Sequence, residues 1–392
     1  MDFQAIFRGR ALPAAFVNLD AFDANIETVL RRSKNKLVRS ASKSVRCVAL
    51  LRRLEQKLGK RYCGIMTYSG EETLHLARAG FDRLLLGYPV TGEAVLYDLA
   101  KAVADGKDVA FMADLPEHLL RLDAAAKKAG ARLGVCLDID MSSKFPFLYF
   151  GVRRSALTDV GKVEKLLATL RSCERLRLVG VMGYEAQIAG LQDNLPGQAA
   201  KNVVLRALKA HSVNDVAKRR KAVVEMLKTK GYELQFVNGG GTGCLETTAQ
   251  ENVVTEVTAG SSFYSSGLFD GYKAFKHLPS AGFAVEVTRK PAENIYTCSG
   301  GGYIASGASG PDKLPRVWYP AGGKLLAHEG AGEVQTPVLF DGAVKLNVGD
   351  AVVMRHAKSG ELCERFNTLL LLSNGEVVDE VPTYRGEGMC FL

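Results

Sequence analysis

The sequence predicts an α/β protein: a (β/α)8 TIM barrel followed by a C-terminal β-domain. Three observations carry this expectation. From Leu37 onward, eight short apolar runs of strand character alternate with helix-patterned segments over roughly 240 residues, the size of such a barrel. The last two runs each end in a small-residue loop, Gly239-Gly240-Gly241-Thr242-Gly243 and Gly260-Ser261-Ser262. After about residue 277 the helical periodicity disappears, and short β-rich runs stand between Gly, Pro and Asn-Gly signals. A doubly wound open sheet is the competing arrangement. The expected boundaries are a barrel over residues 14–276 and a β-domain over 277–392, joined by an N-terminal arm over 1–13.

The elements follow in order. Asp20 is placed to cap a helix whose Phe22, Ile26, Val29 and Leu30 share one face. Leu37 to Ala41 is the first barrel strand and runs into Ser42-Lys43-Ser44, with a helix over roughly residues 47–59 behind it. Cys63 to Met66 is the second strand, and Ser69 with Glu72 forms a capping box for the helix after it. Arg83 to Leu86, Val109 to Met112 and Arg132 to Ile139 continue the series, with Asp114 and Glu117 as cap residues for the helix between the last two. Leu176 to Met182, Leu234 to Val237 and Val253 to Thr258 complete it, and a long helix occupies about residues 198–229. In the β-domain the candidates are Phe283 to Val287, Arg316 to Tyr319, Ala351 to Arg355 and Phe366 to Leu372, the last turning at Asn374-Gly375.

Composition narrows the function. The net charge is +9, but basic residues are spread and aromatic content is 8%. No stacking aromatics interleave with basic runs such as Lys218-Arg219-Arg220-Lys221, which disfavours nucleic-acid binding. Positive charge also suits a phosphorylated cofactor and carboxylate substrates. Eight cysteines show no CxxC pair and no disulfide framework, which points to a reducing cytoplasm. The stretch MDFQAIFRGR shows no long apolar core and no cleavage signal, so no secretory leader is expected, and no apolar run reaches membrane-spanning length.

Chemistry concentrates at strand ends. Glycines after a strand let backbone N–H groups face an anion, or simply make a tight turn. Two such loops after consecutive strands can grip one phosphate, as after strands seven and eight of (β/α)8 barrels. Lys43 ends the first strand, so it would meet a cofactor held there; a solvated lysine is the bland alternative. Together, lysine and phosphate loops suggest pyridoxal 5′-phosphate (PLP). Arg39, four residues earlier, shares the lysine's strand face and suits either the cofactor's phenolic oxygen or a buried ion pair. Tyr184 and Gln187 follow the sixth strand, and Asp138 and Asp140 end the fifth as acid/base or capping groups. Arg153-Arg154 could bind a carboxylate or stand exposed.

A first strand ending in lysine, the late Gly-Gly-Gly-Thr-Gly loop and the terminal β-domain resemble the alanine-racemase-like, fold type III PLP enzymes. Arg39-Ser40-Ala41-Ser42-Lys43-Ser44 and the His356 to Cys363 stretch look most like the D-threonine aldolase and D-serine dehydratase branch. The resemblance implies that Lys43 carries PLP, that Gly240, Gly241, Thr242, Gly243, Gly260 and Ser261 hold its phosphate, and that Tyr184, Gln187 and Arg39 line the cofactor. It implies a divalent metal (Mn, Mg or Zn) on His356 and Cys363, brought together by a hairpin turning at Lys358-Ser359-Gly360. The branch keeps these ligands about one residue apart, whereas six residues intervene here, and serines replace the histidines often found around the lysine. The expected activity is that of a cytoplasmic, homodimeric lyase on a D-amino acid or β-hydroxy amino acid, by retro-aldol cleavage or by dehydration and deamination. The alternatives are a racemase, for which Tyr303 and Tyr384 are candidate second bases, a non-catalytic PLP carrier, and an aldolase using Lys43 without PLP.

Overall fold

The computed structural model describes residues Met1–Leu392. The chain forms two compact units, one of Val29–Lys43, Arg53–Gly260 and Phe391–Leu392, the other of Met1–Thr28, Ser44–Arg52 and Ser261–Cys390.

The first unit is a closed barrel of eight parallel strands, and the open doubly wound sheet is thereby excluded. In chain order the strands are Leu37–Ala41, Tyr62–Thr67, Leu84–Leu86, Val109–Ala113, Leu133–Asp138, Leu176–Gly183, Phe236–Gly239 and Glu256–Ala259. The eighth pairs with the first, Thr258 opposite Arg39 and Ala259 opposite Ser40, which closes the ring. Strand interiors rich in Val, Leu and Ile are buried on both faces, as parallel strands under helices require. Leu85, Ala110, Met112, Cys136, Val179, Met182 and Phe236 pack as one buried cluster. Arg39 lies over the Phe236 ring at 5.4 Å. It is balanced there by Glu256, whose Oε1 and Oε2 accept from Nε at 2.6 Å and Nη2 at 2.9 Å.

Caps depart from the sequence reading at two helices. Leu19–Arg32 begins one residue before Asp20, and it is Asn18 Oδ1 that accepts from Ala21 N at 3.1 Å. Asp20 instead accepts from Ser373 Oγ and Asn374 N. Pro116–Ala129 starts on a proline that needs no N–H partner, and Leu115, not Asp114, is its cap position. The Ser69 cap holds, Ser69 Oγ accepting from Glu72 N at 3.2 Å, and Glu72 reaches back to Tyr68 N at 2.8 Å.

The second unit is a nine-stranded mixed sheet. Ala14–Asn18 is an interior strand of it, antiparallel to Ala281–Ala292 and parallel to Thr368–Ser373. The N-terminal segment thus belongs to the β-domain past the expected boundary at residue 14. Its sequence explains why: Phe3, Ile6 and Phe7 fall on one helix face and pack with Phe16, Val353, Leu370 and Leu372. Asn374 and Gly375 both adopt positive φ, 53° and 84°, the geometry of a tight hairpin turn. The expected hairpin at residues 358–360 is absent; a 3-10 turn, Ser359–Glu364, stands there. No helix is long and apolar enough to cross a membrane.

Candidate active site

Strands seven, eight and one are neighbours in the barrel, so Lys43 and both small-residue loops leave the same arc of its C-terminal rim. After Ala41 the chain enters one 3-10 turn, Ser42–Ser44, anchored by Ser42 Oγ donating to Met66 O at 3.0 Å. That turn presents Lys43, whose Nζ donates to Tyr88 Oη at 2.8 Å and lies 5.5 Å from its ring centroid. Tyr88 follows the third strand in Gly87-Tyr88-Pro89. Burial alone pushes its phenol up, but the Lys43 ammonium, by charge and hydrogen bond, and the Arg154 guanidinium outweigh it and hold the phenol below its ordinary range. Sequence reasoning missed Tyr88. Its signal was a polar aromatic directly after a barrel strand, the position from which barrel enzymes draw their chemistry.

The seventh-strand loop is braced from behind by charge. Gly240, at φ +85°, donates its N–H to Glu185 Oε2 at 2.8 Å. Glu185 is itself buried against Arg220 and accepts from Thr248 Oγ1 at 3.1 Å. The Gly240 amide is therefore engaged by a protein carboxylate, the Glu185 side chain. The Gly241 amide meets only the Cys244 thiol, a weak acceptor, and the Gly243 amide has no protein acceptor. Thr242 O accepts from Arg32 Nη2 at 2.8 Å, fixing the loop's far side. A Cβ on Gly241 would stand 2.9 Å from Tyr184 Cε2 and 3.0 Å from Ala189 Cβ, so the close approach of loop and ring requires glycine. The loop fits a phosphate: a glycine-rich bend with N–H groups to spare. Ser261 opens the short Ser261–Tyr264 helix of the second unit, its Oγ 3.4 Å from Ser44 Oγ.

Tyr184 lies over this loop, its phenol pushed up by burial, with Arg154 at 5.9 Å from its ring. Gln187 is buried and spends its amide on Met141 O at 2.6 Å. Arg39 realises the ion-pair alternative: besides Glu256 it donates from Nη1 to Arg83 O at 2.7 Å.

The two aspartates after the fifth strand separate. Asp140 is structural, accepting from Ser142 N at 2.9 Å and from Tyr149 Oη at 3.2 Å. Asp138 is held up at about 7 by burial first, then by the charges of Asp114 and Asp140, against the pull of Arg154. A carboxyl poised near neutrality close to Tyr88, the hydrogen-bond partner of Lys43, is suited to moving a proton.

In the second unit, His356 and Cys363 both meet Tyr264, His356 with ring centroids 6.2 Å apart and Cys363 with Sγ 3.9 Å from Oη. His356 is fully buried and held neutral, down to about 3, by burial and the adjacent Arg355. Neither of its ring nitrogens has a well-formed hydrogen bond. The Cys363 thiol is pushed up by burial and donates to Val45 O at 3.2 Å. No third His, Cys, Asp or Glu joins them. One imidazole and one thiol already bonded to a carbonyl, with no third such side chain beside them, fall short of the donor set a divalent ion needs. Tyr303 packs edge-on against Phe283 and Phe366, and Tyr384 is buried.

Residues 17–266 match the family model of the alanine racemase N-terminal domain. A 3-hydroxy-D-aspartate aldolase of Paracoccus denitrificans (strain Pd 1222) is 24% identical over 251 residues, 64% of this chain and 59% of its own length. A D-threonine aldolase of an Arthrobacter species is 24% identical over 319 residues, 79% of this chain and 77% of its own. The chain therefore matches less than two thirds of the length of the former relative and more than two thirds of the latter. Among solved structures, D-threonine aldolase from Filomicrobium marinum superposes with a TM-score of 0.81 at 18% identity, covering 96% of this chain and 95% of that one. D-threo-3-hydroxyaspartate dehydratase from Delftia sp. HT23 gives 0.77 at 16%, covering 96% and 98%. These likenesses establish the fold.

Proposed function

The chain belongs to the alanine racemase N-terminal-domain family, and from that premise we propose that it is a PLP-dependent lyase acting on a D-amino acid or β-hydroxy amino acid. The observation that carries the reading is the juxtaposition on one arc of the rim: a lysine amine 2.8 Å from a phenol of lowered pKa, beside two strand-end loops, one with amides to spare. Lys43 would hold PLP covalently. Gly241, Thr242 and Gly243, with Gly260, would receive its phosphate, and Tyr184 would cover one edge. When bound, PLP supplies the electron sink that stabilises a carbanion at Cα.

The chain's own groups do the rest. Tyr88 accepts from the Lys43 amine and fixes its direction whenever that amine carries no cofactor. With its phenol held below its ordinary range by the Lys43 ammonium, Tyr88 is also the group to which the Lys43 amine can pass a proton directly. Asp138 is the neighbouring group able to hold or release a proton near pH 7. Arg39 keeps the barrel floor rigid through Glu256 and Asn238, whose Nδ2 donates to Glu256 Oε1 at 2.8 Å. No step is derived through a metal.

Retro-aldol cleavage or β-elimination is favoured over racemisation because Tyr303, a candidate second base, has its ring wedged between phenylalanines and its phenol raised by burial. The relatives named D-threonine aldolase and 3-hydroxy-D-aspartate aldolase support the same choice. The reading is of a cytoplasmic homodimer handling small amino acids, and eight cysteines that form no disulfide, seven of them buried, support the cytoplasmic part of it. The test is a panel of D- and L-amino acids offered to PLP-loaded protein, with aldehyde, ammonia and oxo-acid assayed separately. Aldehyde or ammonia from a D-substrate supports the lyase; clean interconversion of enantiomers would replace it with a racemase.

A further inference from the structure

The loop after the seventh strand carries four glycines in five positions, Gly239 to Gly243. Glycine samples left- and right-handed backbone alike, so such a stretch holds no shape of its own. Its shape comes from two side chains that reach it from elsewhere in the barrel unit. Glu185, after the sixth strand, accepts from Gly240 N at 2.8 Å. Arg32 donates from Nη2 to Thr242 O at 2.8 Å. The loop also closes on itself, Cys244 N donating to Gly241 O at 2.9 Å.

Each anchor is in turn held by buried charge. Arg220 donates from Nη2 to Glu185 Oε1 and, at 2.9 Å, to Gly183 O, and from Nη1 to Glu251. Thr248 Oγ1 adds a donor to Glu185 at 3.1 Å. Arg32 forks onto Glu246, Nε to Oε1 and Nη2 to Oε2, the latter at 2.8 Å. Glu185, Arg220 and Arg32 are all buried. Buried ion pairs of this kind add little net stability, because desolvation offsets the attraction. Their field does not favour an anion either, since behind Gly240 two carboxylates share one guanidinium. What the two clamps fix is geometry. They leave the Gly241 amide on a thiol and the Gly243 amide without a protein acceptor.

Resting on the PLP reading above, we propose that Glu185 and Arg32 are positioning residues for the cofactor's phosphate. Each binds the loop rather than the anion, and holds it in the shape that receives the phosphate before the cofactor arrives. The preference for a phosphorylated cofactor over its dephosphorylated form is then set by these clamps. Glu185 is the more telling of the two. Its carboxylate stands behind an anion site, where charge alone weakens phosphate binding, so positioning and field make opposite predictions for its removal.

The experiment measures Kd of the full chain for PLP and for pyridoxal, which lacks the phosphate, in wild type, Glu185→Gln and Arg32→Lys. Glutamine keeps the shape and leaves Arg220 paired with Glu251, but only one end of its amide can accept. Lysine keeps the charge of Arg32 without the planar fork that spans Glu246 and Thr242 O. Wild type should bind PLP more tightly than pyridoxal. Each variant should weaken PLP about tenfold, the size of one hydrogen bond to a charged group, while pyridoxal stays within about twofold. Tighter PLP binding in Glu185→Gln, or wild-type PLP affinity in Arg32→Lys, would make these residues sources of field alone and overturn the proposal. Equal weakening of PLP and pyridoxal would overturn it as well, by showing a general loosening of the barrel. A wild type with no preference for PLP over pyridoxal would overturn it and leave the PLP reading intact. If a variant does not fold, Glu246→Gln, whose side chain is 32% exposed, is read in its place, with an expected loss of about threefold. If wild type binds neither compound, the PLP reading fails, and inorganic phosphate decides the clamps separately. Phosphate should then bind wild type and weaken about tenfold in both variants; no binding, or equal binding throughout, would refute them.

Discussion

Replacing Asp138 by asparagine should stabilise the protein, and only at higher pH. The native fold holds this carboxyl at about 7, whereas an exposed aspartate titrates near ~3.9. Because the folded state binds the proton more tightly than the unfolded chain, folding loses stability as pH rises between those values, by up to about 1.4 kcal/mol per pH unit. The penalty is absent below pH ~4 and complete above pH ~7, with a ceiling of about 4 kcal/mol. The carboxyl is only partly covered, so solvent screening reduces the usable figure to about 1–2 kcal/mol. An asparagine side chain has the same shape and no charge to desolvate. Thermal unfolding of wild type and Asp138→Asn should therefore coincide near pH 4 and separate by several degrees at pH 8, the variant being the more stable. A pH-independent difference, or a less stable variant at pH 8, would show that Asp138 is not a desolvated carboxyl. A stabilised variant with reduced turnover would further mark Asp138 as a group kept for function at the expense of stability.

Other consequences are open to direct measurement. Tyr88→Phe removes the acceptor of the Lys43 amine and should lower kcat about tenfold to a hundredfold with PLP content unchanged; full activity would strip Tyr88 of its role. Gly241→Val places a branched side chain where even a Cβ would lie 2.9 Å from the Tyr184 ring, and PLP affinity should fall about tenfold or more; unaltered affinity would remove this loop from the phosphate site. Given the donors at His356 and Cys363, dialysis against a chelator should leave turnover unchanged. Loss of turnover restored by zinc or manganese would instead assign an ion to this pair.

All eight barrel strands were legible because each is a short apolar run between helix-periodic segments, and a buried parallel strand has little freedom to read otherwise. The position of Lys43 followed from the same pattern. Side-chain partners were less legible. Asp20 and Asp114 look like helix caps in sequence, but Asn18 and Pro116 set the starts, leaving the aspartates to partners more than 350 and 40 residues away in the chain. The commitment of Gly240 to Glu185 depends on a long-range clamp by Arg220 that no local pattern announces. The family resemblance implied a hairpin between His356 and Cys363, and the 3-10 turn found there instead still brings both to Tyr264 while giving the thiol a carbonyl to bond.

The central claim is that Lys43 is the residue that carries PLP. Borohydride reduction of the PLP-loaded protein, followed by peptide mapping, tests it most directly. The account predicts one pyridoxyl group per chain, on Lys43, and no fixed cofactor in Lys43→Ala. A pyridoxyl group on another lysine, or none in protein that saturates with PLP, would contradict it.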